Sequence, residues 1–600
     1  MNIENMQIDE LNNLCKNLRK DIVDVVLKNG GHLASNLGVV ELTVALDKVF
    51  NFKDNKILFD VGHQSYVYKL LTDRENKFTT LRKLNGVGPF LDPEESEYDN
   101  FISGHAGSAL SAACGIAVSN PDKKVVVVIG DASIANGHSL EALNNMINLK
   151  NMVVVLNDND MSIGESVGCL SKFFGKMILS KTYLTLRKDV KNITNKGNLR
   201  KKVHDTLGKA EHKIKNILLP GNIPENIGFK YFGVIDGHNI EQLISIFKEV
   251  KNMEGPIFVH VKTKKGKGYL PAEENKEKFH GVSPYNPAKD LNELTTSKIL
   301  GQELTKYAKA DEDIITISAG MVSGTGLKDF FSKYPDRSFD IGIAEGHGVT
   351  FAAGLAISGK KPYFAIYSTF LQRGIGQLIH DVSLQNLPIR LCVDRAGIVG
   401  QDGKTHHGLY DISFLLNIPN FIVLSPTTEK EMKEMIKFSL DVKQPIAIRY
   451  NKGLICNKRY DFKFQLGKWN EIIKGTDNLY IATGNMLEEL LMVKDQLISK
   501  KLSGTIVSAG SIKPFDEEYI KKEFKKYKNI FVLEEGYIKN GFGTEIIDFL
   551  NDQNIKKQVH KIGINCGKIP HGERGQLLEL CGLRGESLVE NIEGKINESN

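Results

Sequence analysis

Two unbroken apolar runs end in oxygen-bearing side chains: Val-Val-Val-Val-Ile-Gly-Asp at residues 125–131 and Met-Val-Val-Val-Leu-Asn-Asp-Asn at residues 152–159. Runs this rich in β-branched residues predict parallel strands buried on both faces. Between them Leu140, Leu143, Met146 and Ile147 recur at helical spacing, predicting a helix over residues 139–150 and hence one βαβ unit. Ligands of open parallel sheets sit beyond the carboxyl ends of the strands, so Asp131 and Asn159 are expected to face one crevice. A carboxylate with an amide oxygen suits magnesium better than zinc, because magnesium keeps positions open for water and phosphate oxygens. The pair therefore points to Mg²⁺ and a diphosphate. Each segment alone also reads as helix capping or turn chemistry. Their pairing across one helix, with Gly130 and Gly137 leaving backbone room, adds weight to the ligand reading.

The alternation of helices with buried strands continues through residues 257–261, predicting a first α/β domain over residues 1–292. A polar stretch near residues 288–297 leads into strands at 314–317, 362–366, 389–393 and 421–424, a second domain over residues 298–453. After the turn-rich residues 451–463, strands at 479–483, 505–508 and 530–533 mark a third, smaller domain over residues 464–600. The expected fold class is α/β, three doubly wound domains with no short-period repeat.

Composition narrows the field. A chain of 600 residues, 41% hydrophobic, exceeds one core. It has no apolar stretch of membrane-spanning length, and its first twenty residues are polar and charged rather than a signal peptide, so a cytoplasmic location is expected. The seven cysteines (Cys15, Cys114, Cys169, Cys392, Cys456, Cys566, Cys581) are scattered, which argues against disulfides and structural zinc. A net charge of +6 is too mild to imply nucleic acid. Residues 172–215 hold thirteen Lys or Arg against Asp189, Asp205 and Glu211, read first as a solvated face and second as an electropositive approach for anionic substrates.

No P-loop, dinucleotide fingerprint or Gly-x-Ser-x-Gly elbow occurs, which removes the best support for kinase, nicotinamide and serine-hydrolase readings. Four clusters remain. Gly30-Gly31-His32 and Asp60-Val61-Gly62-His63-Gln64 set histidines beside loop glycines, and Gly104-His105-Ala106-Gly107-Ser108 has the small-residue build of a backbone nest for an anion. Residues 340–347 run a strand into Glu345, just ahead of a small-residue helix over 349–357. Singly, each has a bland reading: a loop histidine satisfied by hydrogen bonds, or a glutamate at a helix start.

Taken in order with Thr263-Lys264-Lys265-Gly266-Lys267-Gly268-Tyr269, with residues 367–373 and 394–400, and with Asp402-Gly403-Lys404-Thr405-His406, these segments resemble the 1-deoxy-D-xylulose-5-phosphate synthase family of thiamine diphosphate enzymes over nearly the whole chain. The resemblance implies a transketolase-like α/β fold, a homodimer, and condensation of pyruvate with D-glyceraldehyde 3-phosphate. Loss of CO₂ would give 1-deoxy-D-xylulose 5-phosphate, a precursor of isoprenoids, thiamine and pyridoxal. It implies that Asp131 and Asn159, with the carbonyl of Met161, hold Mg²⁺ against the diphosphate, lined by Ala132 and Ser133. His63, Gly104, His105, Ala106 and Tyr269 would contact thiamine diphosphate, and Lys265 would add charge near the phosphates. Glu345 would face the aminopyrimidine, with Phe370 stacked on that ring. A buried carboxyl of raised pKa shares a proton with a ring nitrogen more easily than one in water. His32, His63 and His406 are candidates for proton transfer and for hydrogen bonding to substrate oxygens, since histidine alone has an unperturbed pKa near neutrality. Tyr367, Arg395 and Lys452 would hold the acceptor phosphate, with Asp402 also in the substrate site.

Departures from the family pattern are Ala132 for a glycine, Ala106 for a serine and Gly346 for a glutamine. Lys452 replaces an arginine, and a point charge in place of a bidentate fork bears on acceptor choice. Three rival readings remain: a transketolase-like or acyloin-forming enzyme with another donor or acceptor, a non-catalytic cofactor-binding relative, and, with little support because no repeat or coiled coil is present, a purely structural or interaction role.

Overall fold

The computed structural model describes residues 3–159, 223–284, 294–456, 460, 463–565 and 567–598. Met161 and the basic stretch 172–215 lie outside the described residues. The chain forms two compact units, Met1–Leu81 with Phe90–Tyr285, and Arg82–Pro89 with Asn286–Asn600.

In the first unit, strands β1 (Lys56–Phe59), β2 (Val125–Gly130), β3 (Met152–Asp158), β4 (Lys230–Asp236) and β5 (Ile257–Lys262) form a parallel sheet in the order β1-β2-β3-β5-β4. Every residue of β3 is buried, as the unbroken apolar run requires. Helices Ser108–Ser119 and Gly137–Asn145 cover one face through Leu110, Ala113 and Leu143, packed on Val127, Ile129 and Val154. The second of these starts where the Asn136 side chain accepts from the His138 N–H, and it ends at Asn145, short of the expected residue 150. Asn144 and Asn145 are poor helix interiors because their amides compete for backbone groups; the Asn145 amide donates to the Glu141 carbonyl.

The second unit holds two sheets. Strands β6 (Ile314–Ser318), β7 (Ser338–Asp340), β8 (Lys361–Tyr367), β9 (Arg390–Asp394), β10 (Ile422–Leu424) and β11 (Ile446–Arg449) belong to one; β12 (Asn470–Ile473), β13 (Asn478–Ala482) and β14 (Gly504–Ser508) open the other. Next, β15 (Ser511–Lys513) returns to the first of these sheets as an antiparallel edge on β10, giving the order β15-β10-β11-β9-β8-β6-β7. Strands β16 (Asn529–Tyr537) and β17 (Val559–Ile564) complete the other in the order β12-β14-β13-β16-β17. One apolar core runs between the two sheets, joining Val393, Ile412 and Val423 to Ile481, Val507 and Val532. No described helix is long and apolar enough to cross a membrane.

Candidate active site

In the first unit, Gly130 pairs with Asn157 across β2 and β3, so Asp131 and Asn159 both leave the carboxyl ends of adjacent central strands. Asp131 is buried at the first turn of a short helix, and Asn159 is half-buried. A Cβ built on Gly130 would meet nothing within 4 Å, so the backbone beside Asp131 borders open space. Lys265, 3% exposed, is pushed down to about 8 by burial against the opposing pull of Asp131. Ala132 is half-buried and Ser133 buried, its carbonyl accepting from the Ser139 hydroxyl at 2.7 Å.

The loop at 104–107 is held by a residue to which sequence reasoning assigned no role. Asp60, at the end of β1, accepts from the Gly107 N–H with both carboxylate oxygens at 2.9 Å and from the Ala109 N–H at 3.2 Å. Gly107 needs its left-handed backbone (φ +83°), and a Cβ there would press on the Asn136 side chain at 2.7 Å. Gly104 and Ala106 are buried in this loop and His105 is half-buried.

His32 and His63 come together with His280, which sequence reasoning had not singled out. Ring centroids are 5.7 Å apart for His32–His63, 5.6 Å for His32–His280 and 5.3 Å for His63–His280. Asn36 ties two of their backbones together: its amide donates to the carbonyls of His32 (2.6 Å) and His63 (2.8 Å), while its oxygen accepts from the Tyr66 N–H. Burial, then the charges of His32 and Lys265, holds His63 well below the usual imidazole range, and His280 is depressed in the same way. Burial thus favours the neutral imidazole of His63. Tyr269 is half-buried, with its ring edge-on to Phe279 at 5.8 Å.

In the second unit, Glu345 is the first residue of helix Glu345–Ile357, four residues earlier than expected, because β7 ends at Asp340. It is 4% exposed, and burial raises its carboxyl above the usual range despite nearby Arg373. Tyr367, at the end of β8, stacks on Phe370 at 5.8 Å and carries the Arg395 guanidinium over its ring, 3.8 Å from the centroid. Phe370 in turn meets His406 edge-on at 5.6 Å. Asp402 pairs with Arg82 at 2.8 Å and stands 3.9 Å from the Lys452 ammonium, which also donates to the Val399 carbonyl at 3.4 Å. Burial pushes half-buried Lys452 down to about 8. His407 has a different part from its neighbour: Nδ1 accepts from the Val399 N–H, so Nε2 donates to the Pro570 carbonyl, both at 3.1 Å.

Residues 1–263 match the family model for 1-deoxy-D-xylulose-5-phosphate synthase, 292–458 the transketolase pyrimidine-binding domain and 467–588 the transketolase C-terminal domain. A 1-deoxy-D-xylulose-5-phosphate synthase of Fusobacterium nucleatum is 52% identical over 98% of both chains. Proteins of the same name from Clostridium perfringens and Clostridium tetani are each 42% identical over 98% of this chain and 97% of theirs. The chain belongs to the 1-deoxy-D-xylulose-5-phosphate synthase family.

Membership in the synthase family makes thiamine diphosphate the group to fit to these residues. The first unit suits an anionic, hydrogen-bonding guest: buried Nδ1 of His63 has no partner among the described residues, and buried Asp131 and Lys265 flank the open backbone at Gly130. An unpartnered buried polar atom costs free energy that a bound ligand relieves. Glu345 suits a ring nitrogen, since burial raises its carboxyl above the usual range and so favours a shared proton. Sequence signals for Asp60 and His280 existed, as an acid ahead of a glycine loop and a His-Gly pair at 280–281, but only tertiary contact gives them partners.

Proposed function

We propose that this chain condenses pyruvate with D-glyceraldehyde 3-phosphate, releasing CO₂ and forming 1-deoxy-D-xylulose 5-phosphate, with thiamine diphosphate and Mg²⁺ as cofactors. The observation that supports it most is the pairing of Asp131 and Asn159 at the carboxyl ends of β2 and β3 in a chain 52% identical to a named synthase. Asp131 and Asn159, with Met161, are assigned to the metal. His63, His105, Lys265 and the 104–106 backbone are assigned to the cofactor's diphosphate end and thiazolium surroundings. When bound, thiamine diphosphate supplies a thiazolium carbon acid that accepts the electron pair left by departing CO₂. Burial raises the Glu345 carboxyl above the usual range, which eases sharing of a proton with a pyrimidine nitrogen. Phe370 offers that ring a flat apolar neighbour. His63, held toward its neutral form by burial, and His32 beside it orient substrate oxygens by hydrogen bonding.

Arg395, Lys452 and Arg82 gather positive charge around Asp402 and Tyr367, a setting suited to a phosphate monoester. Arg82 joins this assignment on geometry alone. The arrangement favours a phosphorylated acceptor over an unphosphorylated one. A homodimer in the cytoplasm, with three domains at 1–292, 298–453 and 464–600, completes the proposal. Incubated with thiamine diphosphate, Mg²⁺ and pyruvate, the purified protein is expected to release CO₂ in proportion to added D-glyceraldehyde 3-phosphate, with the ketose phosphate detected by mass spectrometry. Turnover of a ketose phosphate donor without pyruvate would instead make it a transketolase-like enzyme.

A further inference from the structure

The loop of residues 569–574, which follows β17 and leads into helix Arg574–Leu580, lies in the segment matching the transketolase C-terminal domain, yet it braces residues 82–89, which carry Arg82, and residues 397–407, which Lys452 and Arg82 reach. Toward residues 397–407, the Arg574 guanidinium donates from Nε to the Ile398 carbonyl (3.0 Å) and from Nη2 to Glu535 Oε2 (2.5 Å). Glu535 Oε1 closes the ring by accepting the Ile398 N–H at 2.8 Å. One residue, Ile398, is thus gripped at both its N–H and its carbonyl by an ion pair between buried Glu535 of β16 and half-buried Arg574. The neighbouring carbonyl, Val399, is the one that Lys452 reaches. Close packing extends the grip: a Cβ at Gly400 would come within 3.2 Å of the Gly572 carbonyl, and one at Gly403 within 3.0 Å of the His571 side chain. Toward residues 82–89, His571 Nε2 donates to the Gly86 carbonyl at 3.1 Å, in the stretch whose Arg82 pairs with Asp402.

We propose that Glu535 and Arg574 are positioning residues for recognition of the acceptor's phosphate: by fixing Ile398 and Val399 they set where Lys452, Asp402 and Arg82 stand, and so govern preference for phosphorylated over unphosphorylated aldehydes. This rests on the proposed function. A charge-assisted, two-point grip on a single peptide leaves that loop little freedom, whereas an apolar contact there would let it slide. Removing it moves the cations without removing any of them.

The test uses full-length enzyme with cofactor and Mg²⁺, comparing the parent with R574M and E535Q. Measured are kcat/KM for D-glyceraldehyde 3-phosphate and for unphosphorylated D-glyceraldehyde, KM for pyruvate, and the thermal midpoint. Displaced positioning groups cost about tenfold or more, so the phosphorylated aldehyde should lose that much while the unphosphorylated one stays within about twofold. R574K, which keeps the charge but not the fork, should fall between parent and R574M. Equal losses for both aldehydes, or an unchanged ratio, would overturn the proposal. Should R574M fail to fold, E535Q reads the same ratio: its amide oxygen keeps the Ile398 N–H and so favours folding, while loss of the carboxylate breaks the ion pair that holds Arg574 on the Ile398 carbonyl. A parent that makes no product overturns the proposed function itself, whereas an active parent with an unmoved ratio in the variants overturns the positioning role alone.

Discussion

Lys452 offers a test in which sequence and structure meet. Its ammonium is half-buried, 3.9 Å from Asp402 and in the field of Arg395 and Arg82, and burial lowers its pKa to about 8. A phosphate anchor that titrates there must weaken on the alkaline side. With a pKa near 8, the protonated fraction falls from about nine-tenths at pH 7 to about one-tenth at pH 9, so kcat/KM for the aldehyde phosphate should drop about tenfold across that interval. KM for pyruvate should not follow. In K452R the guanidinium stays charged throughout, so the alkaline limb should vanish. Stability moves in the opposite sense. The unfolded lysine keeps its proton to about 10.5 while the folded one releases it near 8, so between those values the unfolded state binds more protons and stability from this group rises with pH. Steady-state kinetics from pH 6.5 to 9.5, extrapolated to saturating pyruvate, measure the limb, and an identical limb in K452R would refute the assignment of Lys452 to the phosphate.

Other outcomes follow from the same geometry. Replacing Asp60 with alanine strips the Gly107 and Ala109 N–H groups of their acceptor, costing about 3–6 kcal/mol at roughly 1.5–3 for each of the two donors; differential scanning calorimetry should show the lower midpoint, and a cofactor affinity equal to the parent's would contradict its part in shaping the 104–106 loop. E345Q should lose about 10²–10⁴ in kcat while binding thiamine diphosphate nearly as well, and a variant of near-parent kcat would exclude the glutamate from proton handling. H407A should lower the thermal midpoint by breaking the Val399 and Pro570 links, whereas H406A should act on kcat with the midpoint unmoved; a reversal of these effects would show that the two histidines have been assigned the wrong way round.

The sequence made the central sheet legible because β2 and β3 must be apolar on both faces, leaving no periodicity to misread, and their oxygen-bearing ends mark the side where a ligand can sit. Strand ends differ from expectation by a residue or two, as at Arg390–Asp394, because hydrogen-bond pairing and not hydrophobicity sets them. The three-residue β15 was not legible: Ser511, Ile512 and Lys513 have no strand signature until β10 offers them an edge. Within the candidate site, motif glycines and histidines were visible locally, but His280 beside His63, Arg82 beside Asp402 and Glu535 beside Ile398 are long-range neighbours. No local pattern encodes such pairs. His63 shows the other limit: its type suggests a titrating group, and only burial reveals that the neutral form is favoured.

The account's central claim is that the carboxyl ends of β2 and β3 hold the diphosphate of thiamine diphosphate through a divalent cation on Asp131 and Asn159. Isothermal titration of the parent and of D131N with thiamine diphosphate, in Mg²⁺ and again in excess chelator, tests it most directly. One cofactor per chain is expected for the parent in Mg²⁺, with no measurable uptake in chelator or by a folded D131N. Equal uptake in all four titrations, or none in any, would contradict it.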